Sequence, residues 1–212
     1  MNKVKAHISV SLDGYVAGPN QSHDNPLGEG GEGLHEWVIS LSAWKEKHGQ
    51  EGGEVNASSE IVEEEKSNVG AEIMGRGMFG PPEGGPWGDE GWQGWWGEDP
   101  PFHMPVYVIT HHEREPLTLT DTTFTFVTDG IESALAQARE AAGDQDVFIS
   151  GGGETINEYL AAGLVDEVEI HVVPIVLGGG SRLFDGVGDL KLEQLRAVEA
   201  PGVAHLTYRV VK

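Results

Sequence analysis

Cysteine is absent from the chain, which excludes disulfides, thiolate metal sites and cysteine nucleophiles. Cations are scarce: 13 Lys and Arg stand against 35 Asp and Glu, a formal net charge of −22. Such a field repels phosphodiester backbones and anionic bilayers, so neither nucleic acid nor a membrane surface is an expected partner. The excess acid fits a salt-rich habitat and fits simple solubility equally well. No apolar run is long enough to span a bilayer, and no basic stretch followed by an apolar region opens the chain. A soluble, cytoplasmic protein is the expectation. Also missing are Ser-His-Asp spacing and a paired catalytic acid.

The 212 residues are 38% hydrophobic, enough for a real core, and read as one domain over residues 1–212. Val4, Ala6, Ile8 and Val10 alternate with Lys5, His7 and Ser9, a strand with one buried face and His7 as a facing polar residue rather than a ligand. At its end, in Ser11-Leu12-Asp13-Gly14, Gly14 permits a turn and Asp13 has the position of an Asx-type structural residue. Leu34, Trp37, Val38 and Leu41 have helical spacing, with Trp37 in the core, and a second helix is expected over residues 58–67. Its Glu63-Glu64-Glu65 run reads as a solvated face with no metal cluster.

A short strand at 71–74 meets Gly75-Arg76-Gly77, where backbone access beside a guanidinium suits a phosphate. Pro81-Pro82 then limits any helix. The loop of about residues 81–105 is rich in Gly and Pro and holds four of the six tryptophans, Trp87, Trp92, Trp95 and Trp96. Tryptophans argue against disorder, and a lid or subunit interface is expected rather than plain core packing. Val106 to Ile109 form a buried strand ending at Thr110, His111 and His112. The adjacent His side chains point to opposite faces with no acid at ligand spacing, so no metal is expected. Asp129 and Glu132 have capping-box spacing before a helix that stops at Gly143.

The chain is organised around residues 146–160. Val147, Phe148 and Ile149 suit a buried strand; Gly151, Gly152 and Gly153 follow; a helical period starts at Glu154. Residues without Cβ let a ligand approach bare backbone, and the helix start offers N–H groups and a positive dipole end, together a seat for phosphate. A tight strand-to-helix turn is the plainer alternative. Parallel strands with right-handed crossovers follow from this succession, and Pro201-Gly202 marks an antiparallel hairpin of 191–199 with 204–211.

These motifs, with Ser11 to Gly18, Met74-Gly75-Arg76, Val108 to His111 and the run Pro174-Ile175-Val176-Leu177-Gly178-Gly179-Gly180-Ser181-Arg182-Leu183-Phe184, resemble the dihydrofolate reductase-like superfamily. The similarity is to the reductase domain at the C-terminus of bacterial riboflavin-biosynthesis deaminase-reductases, here as a stand-alone relative. The resemblance implies an α/β fold with a mostly parallel central sheet, flanking helices and a C-terminal antiparallel hairpin. It also implies NADPH as cofactor, a small-molecule substrate and a homodimer.

The cofactor residues implied are Gly75, Arg76, Thr110, His111, Gly151, Gly152, Gly153 and Thr155, with Asp13 as a polar catalytic partner beside substrate and nicotinamide. The reaction implied is hydride transfer to a small heterocyclic or sugar-derived substrate. Ser150 stands where riboflavin-pathway relatives place Glu, and the Pro81-Pro82 segment also departs from the family. Ribosylaminouracil-phosphate reduction and an NADPH-binding oligomer without turnover are the alternatives.

Overall fold

In the computed structural model, residues 2–81, 86–87 and 91–212 are described. Pro82 and six other residues of the Trp-rich segment, 83–85 and 88–90, lie outside them. The chain begins with β1 (Val4–Ser11) and β2 (Tyr15–Ala17), then a 3-10 turn (Gly31–His35), α1 (Glu36–Ile39), α2 (Ser42–Lys47) and α3 (Ala57–Lys66). It continues through β3 (Val69–Gly75), α4 (Arg76–Phe79), β4 (Pro105–Ile109), β5 (Leu117–Leu119), β6 (Thr122–Val127) and α5 (Ile131–Ala142). The last third holds β7 (Asp146–Gly151), α6 (Gly153–Ala161), β8 (Glu167–Val173), β9 (Ser181–Arg182), β10 (Lys191–Ala200) and β11 (Val203–Val211).

Nine strands form one sheet in the order β10-β11-β8-β1-β7-β3-β4-β6-β5. Pairing is parallel from β8 through β6 and antiparallel at both edges, where β10–β11 and β5 lie. The mostly parallel sheet and the C-terminal hairpin thus have the expected form. A small β2–β9 ribbon stands apart.

Alternation along β1 sorts the two faces. Val4, Ala6 and Val10 point into a core built with Ala134, Leu135 and Ala138 of α5 and Ile156, Tyr159 and Leu160 of α6. Burying each large apolar side chain of this set contributes about 1.5–3 kcal/mol. The opposite face is covered by the 3-10 turn, α1 and α3, with Leu34 and Trp37 packed on Val173, Ala200 and Val203.

Local chemistry shortened two expected helices. The apolar set at Leu34, Trp37 and Leu41 is buried, but the helix breaks after one α-turn. The Ser40 hydroxyl donates back to the Trp37 carbonyl at 2.9 Å, and Leu41 is extended, a side-chain bond that competes with helix continuation. For α5 the N-cap is Gly130, at φ 93°, and no side chain caps it; the expected Asp129 capping box does not form, because the left-handed glycine turns the chain in one residue later.

Where a lid or interface was expected, the described part of the Trp-rich segment packs on the chain's own sheet. Trp87, Trp92, Trp96 and Phe102 pack on Met74, Phe79, Val106, Val108 and Phe124, forming a third core cluster. β4 and β6 carry large apolar side chains on a face that no long helix among the described residues covers, and Trp87, Trp92, Trp96 and Phe102 pack on it. Two of the segment's indole donors meet carbonyls: Trp87 donates to His112 at 2.9 Å and Trp92 to Phe79 at 3.0 Å. All four tryptophans are half-buried.

Candidate functional site

Carboxyl ends of β1, β7, β3 and β4 lie side by side, the edge where open α/β sheets bind ligands. Met74 pairs with Gly151 of β7, and Gly75 with Ile109 of β4. A Cβ on Gly75 would stand 2.3 Å from Thr155 Oγ1 and 3.7 Å from the Gly152 nitrogen. Glycine is therefore required at Gly75, since the Thr155 side chain fills the space.

The three glycines at 151–153 do different things. Gly151 has φ +131°, a conformation that L side chains rarely adopt. Gly152 has an ordinary φ of −72°, and a Cβ there would meet nothing within 4 Å. Positive φ is thus needed at only one of the three, and the middle one faces open space. At Gly153 a Cβ would come within 2.6 Å of Val16 Cγ2 and 2.9 Å of Ser181 Oγ, so the start of α6 is pressed against the β2–β9 ribbon. The Gly151–Gly152 peptide is cis. Ile156 N–H donates to the Gly152 carbonyl at 3.1 Å, and no side chain caps the helix. The amides before it have no intrahelical acceptor.

Thr110 and His111 continue β4, two strands from β7 with β3 between them. Thr110 is buried; its N–H donates to Val127 at 3.0 Å, and its hydroxyl oxygen accepts from His112 N–H at 3.2 Å. His111 is exposed. The Arg76 side chain folds back on the end of α4. Its guanidinium donates to the carbonyls of Gly80 and Pro81 and lies 3.5 Å from the Trp87 ring centroid. It binds the end of α4 to the Trp-rich segment.

Asp13 is clasped by backbone. The Ser11 hydroxyl donates to its Oδ1 at 2.6 Å, Leu177 N–H to the same oxygen at 3.1 Å and Gly178 N–H to Oδ2 at 2.7 Å. The Ser11 bond and those amides hold its carboxyl down at about 2. Asp13 therefore fastens the loop after β8 to the end of β1.

Two residues had no sequence signal as site candidates. Ser150 Oγ donates to Glu72 of β3, so a carboxylate from the neighbouring strand stands beside the position before the glycine turn. Only strand register reveals this. Arg114, between Glu113 and Glu115, lies 4.7 Å from the Trp87 and 4.9 Å from the Phe126 ring centroids and donates to the Trp92 carbonyl. Its Nη1 is buried without a hydrogen-bond partner among the described residues, and burial lowers its pKa. With Glu113, Glu115 and Phe126 it lines an open cleft of about 440 Å³ beyond Thr110. Flanking acids masked this cation in the sequence.

A mostly parallel sheet with antiparallel edges and a glycine turn at its carboxyl ends is the dihydrofolate reductase-like class. Solved structures share it: a putative riboflavin biosynthesis protein from Shewanella sp. PV-4 is 23% identical, with TM-score 0.64 over 99% of each chain. Dihydrofolate reductase from Enterococcus faecalis, complexed with NADP(H) and RAB-propyl, is 13% identical, with TM-score 0.54 over 99% of this chain and 97% of that one. Residues 2–206 match the RibD C-terminal domain family, and the chain belongs to it.

Among curated relatives, uncharacterized protein YwjB of Bacillus subtilis (strain 168) is 33% identical over 78 residues, 37% of this chain. The curated relatives are matched over 42% and 62% of their own lengths, under two thirds in each case. No described helix is long and apolar enough to cross a membrane.

Proposed function

We propose that the protein is an NADPH-dependent oxidoreductase that transfers hydride to a carbon–nitrogen double bond, or an equivalent sugar-derived carbonyl centre, of a small heterocyclic substrate. The observation that carries this reading is the turn at 151–153: Gly152 opens onto empty space beside the amides that start α6, while Gly151 and Gly153 hold its shape. Helix N–H groups and the positive dipole end suit a pyrophosphate there. The Enterococcus faecalis relative is complexed with NADP(H), which supports the same cofactor here.

NADPH, when bound, supplies the hydride. The chain supplies position. Gly75 and Thr155 brace the glycine turn, and Thr110 and His111 border the adenosine phosphate, with Arg114 as the cation of that region. Arg76 acts through backbone access beside Gly75, its side chain holding the Trp-rich segment. Asp13 serves as a positioning residue that keeps the 177–178 loop over the end of β1. Glu72, fixed by Ser150, is the carboxylate we assign to a ring N–H of the substrate. A carboxylate displaced by one strand favours a pterin or another heterocycle over ribosylaminouracil phosphate. As in the reductase domains it resembles, we infer a cytoplasmic homodimer.

The test is NADPH consumption with a panel of dihydropteridines and with ribosylaminouracil phosphate, run beside nucleotide titration. Turnover with a dihydropteridine supports the reading, and turnover with ribosylaminouracil phosphate alone moves it to riboflavin biosynthesis. Tight binding without turnover on any substrate makes the protein a cofactor-binding oligomer. Absence of nucleotide binding overturns the proposal.

A further inference from the structure

The sheet face opposite α5 and α6 carries a buried polar cluster that the reductase reading does not use. Its residues come from α3 and three adjacent strands. Asn56 caps α3, its side chain accepting from Ser58 N–H, and Ser58, Ile61, Val62 and Glu65 fall at i, i+3, i+4 and i+7 on the inward stripe. Glu65 is thus not part of a solvated face with Glu63 and Glu64: its side chain is 8% exposed. Beneath it, His7 of β1 lies opposite Glu169 of β8, Ser9 opposite His171, and His205 of β11 opposite His171. Register gathers the three histidines under one helix.

Glu65 Oε2 lies 3.2 Å from His7 Nδ1, and Glu65 Oε1 lies 3.0 Å from His171 Nε2. Yet neither Glu65 Oε1 nor His171 Nε2 has a hydrogen-bond partner among the described residues. A hydrogen bond places the acceptor in line with the ring N–H; here the oxygen is close but off that line. Two ligands of a common cation sit side by side in this way, about 3.3 Å apart when metal bonds are about 2.0 Å.

The far side of His171 leaves its Nε2 available to a cation. Its Nδ1 is 2.8 Å from His205 Nδ1, and His205 Nε2 is 2.9 Å from Ser58 Oγ. Two assignments give every contact in this row a donor and an acceptor; in one of them His171 Nδ1–H donates to His205, and His205 Nε2–H donates to Ser58. That one leaves a lone pair on His171 Nε2, aimed at the cluster. The opposite assignment runs from the Ser58 hydroxyl through His205 to His171 and points the Nε2 proton toward the Glu65 carboxylate, 3.0 Å away, and a cation would displace that proton. A ligand imidazole oriented through its other nitrogen is the usual arrangement around a metal.

We propose that His7 Nδ1, His171 Nε2 and the Glu65 carboxylate form a binding site for a divalent, zinc-class cation that staples α3 to β1 and β8. The three ligand atoms lie within 4.8 Å of one another, and two imidazoles with one carboxylate are a donor set for zinc or cobalt. Glu72 and Glu169 add negative charge near His7, which favours a dication. His7, with 30% of its side chain exposed, gives the ion a way in. The site departs from the expectation that His7 is no ligand and that the glutamate run holds no metal.

The experiment is Co²⁺ titration of the chelator-treated protein, read by visible absorption and by thermal unfolding, followed by Zn²⁺ displacement. One Co²⁺ per chain with bands of low-coordinate Co²⁺, lost on Zn²⁺ addition, is expected, with a rise in unfolding temperature. Glu65→Gln and His7→Gln should each weaken binding at least tenfold, and His48→Gln, on the exposed end of α2, should leave it unchanged. These variants keep size and polarity, so cooperative unfolding without metal shows that they fold. No stoichiometric uptake by the wild type, or uptake unchanged in both cluster variants, overturns the site and leaves a bare histidine–glutamate ion pair.

Discussion

Gly152 and Gly153 are neighbours in the chain, yet a side chain would meet opposite surroundings at the two. A Cβ at Gly152 touches nothing within 4 Å, whereas one at Gly153 collides with Val16 and Ser181. Gly152→Val is therefore expected to fold with stability within about 0.5 kcal/mol of wild type and to lose nucleotide binding. Gly153→Val should lose about 1–3 kcal/mol through overpacking. Urea unfolding beside nucleotide titration separates the two; retained affinity in a folded Gly152→Val would mean that the glycines only turn the chain. Asp13 makes a prediction in pH. Its folded pKa of about 2 lies below the ordinary 3.8, so its stabilisation is complete above the ordinary value and is lost as pH falls through about 2. Asp13→Asn should remove that part of the acid sensitivity, measured as the change in unfolding midpoint between pH 5 and pH 2.

The third cluster makes the Trp-rich segment an element of the core, although its described residues before β4 form no helix or strand. Trp87 contacts Phe79 and Phe126, stacks under Arg76 and donates to His112, thereby joining α4, β6 and the loop that bears Thr110. Trp87→Ala is expected to cost about 2–4 kcal/mol, at or just below the range for large aromatic truncations, and to weaken nucleotide binding as well. A segment acting only as a lid would leave the urea midpoint unchanged. The same packing removes one argument for a dimer, because these tryptophans cover the chain's own sheet and do not form a bare apolar patch. The homodimer stands on family likeness, and light scattering at several concentrations decides it.

Across the whole molecule, a charge of −22 opposes both compaction and anionic ligands. Added salt should screen this self-repulsion and raise the unfolding temperature between about 20 and 200 mM NaCl, as the Debye length falls from about 20 Å to below 10 Å. In that field, preference for NADPH over NADH requires local donors at the end of β4. At a hundredfold excess over its dissociation constant a ligand specific to the folded state stabilises by about 2.7 kcal/mol. Thermal shifts at matched concentrations should therefore be larger with NADPH. Equal shifts would remove the preference, and no shift with either would remove the cofactor.

Alternation in β1 and β8, the glycine turn and the hairpin were legible in the sequence because each rests on local physics: pleat period, missing Cβ atoms and turn chemistry. From these the sheet's parallel character could be placed, while the set Gly75, Gly151, Gly152, Gly153 and Thr155 came from family resemblance. The sequence did not show β5 and β6, whose Thr-rich strands gain their stability from pairing, β6 with β4 and β5 with β6, nor the packing of the tryptophans, which have no period. Side-chain destinations were likewise beyond it. Arg76 turns back to Gly80, Glu72 meets Ser150 across strands, and Glu65 leaves its acidic neighbours to face His7 and His171. Local sequence set what each element is, while strand register and helix phase, which depend on contacts distant in the chain, decided which residues share a site.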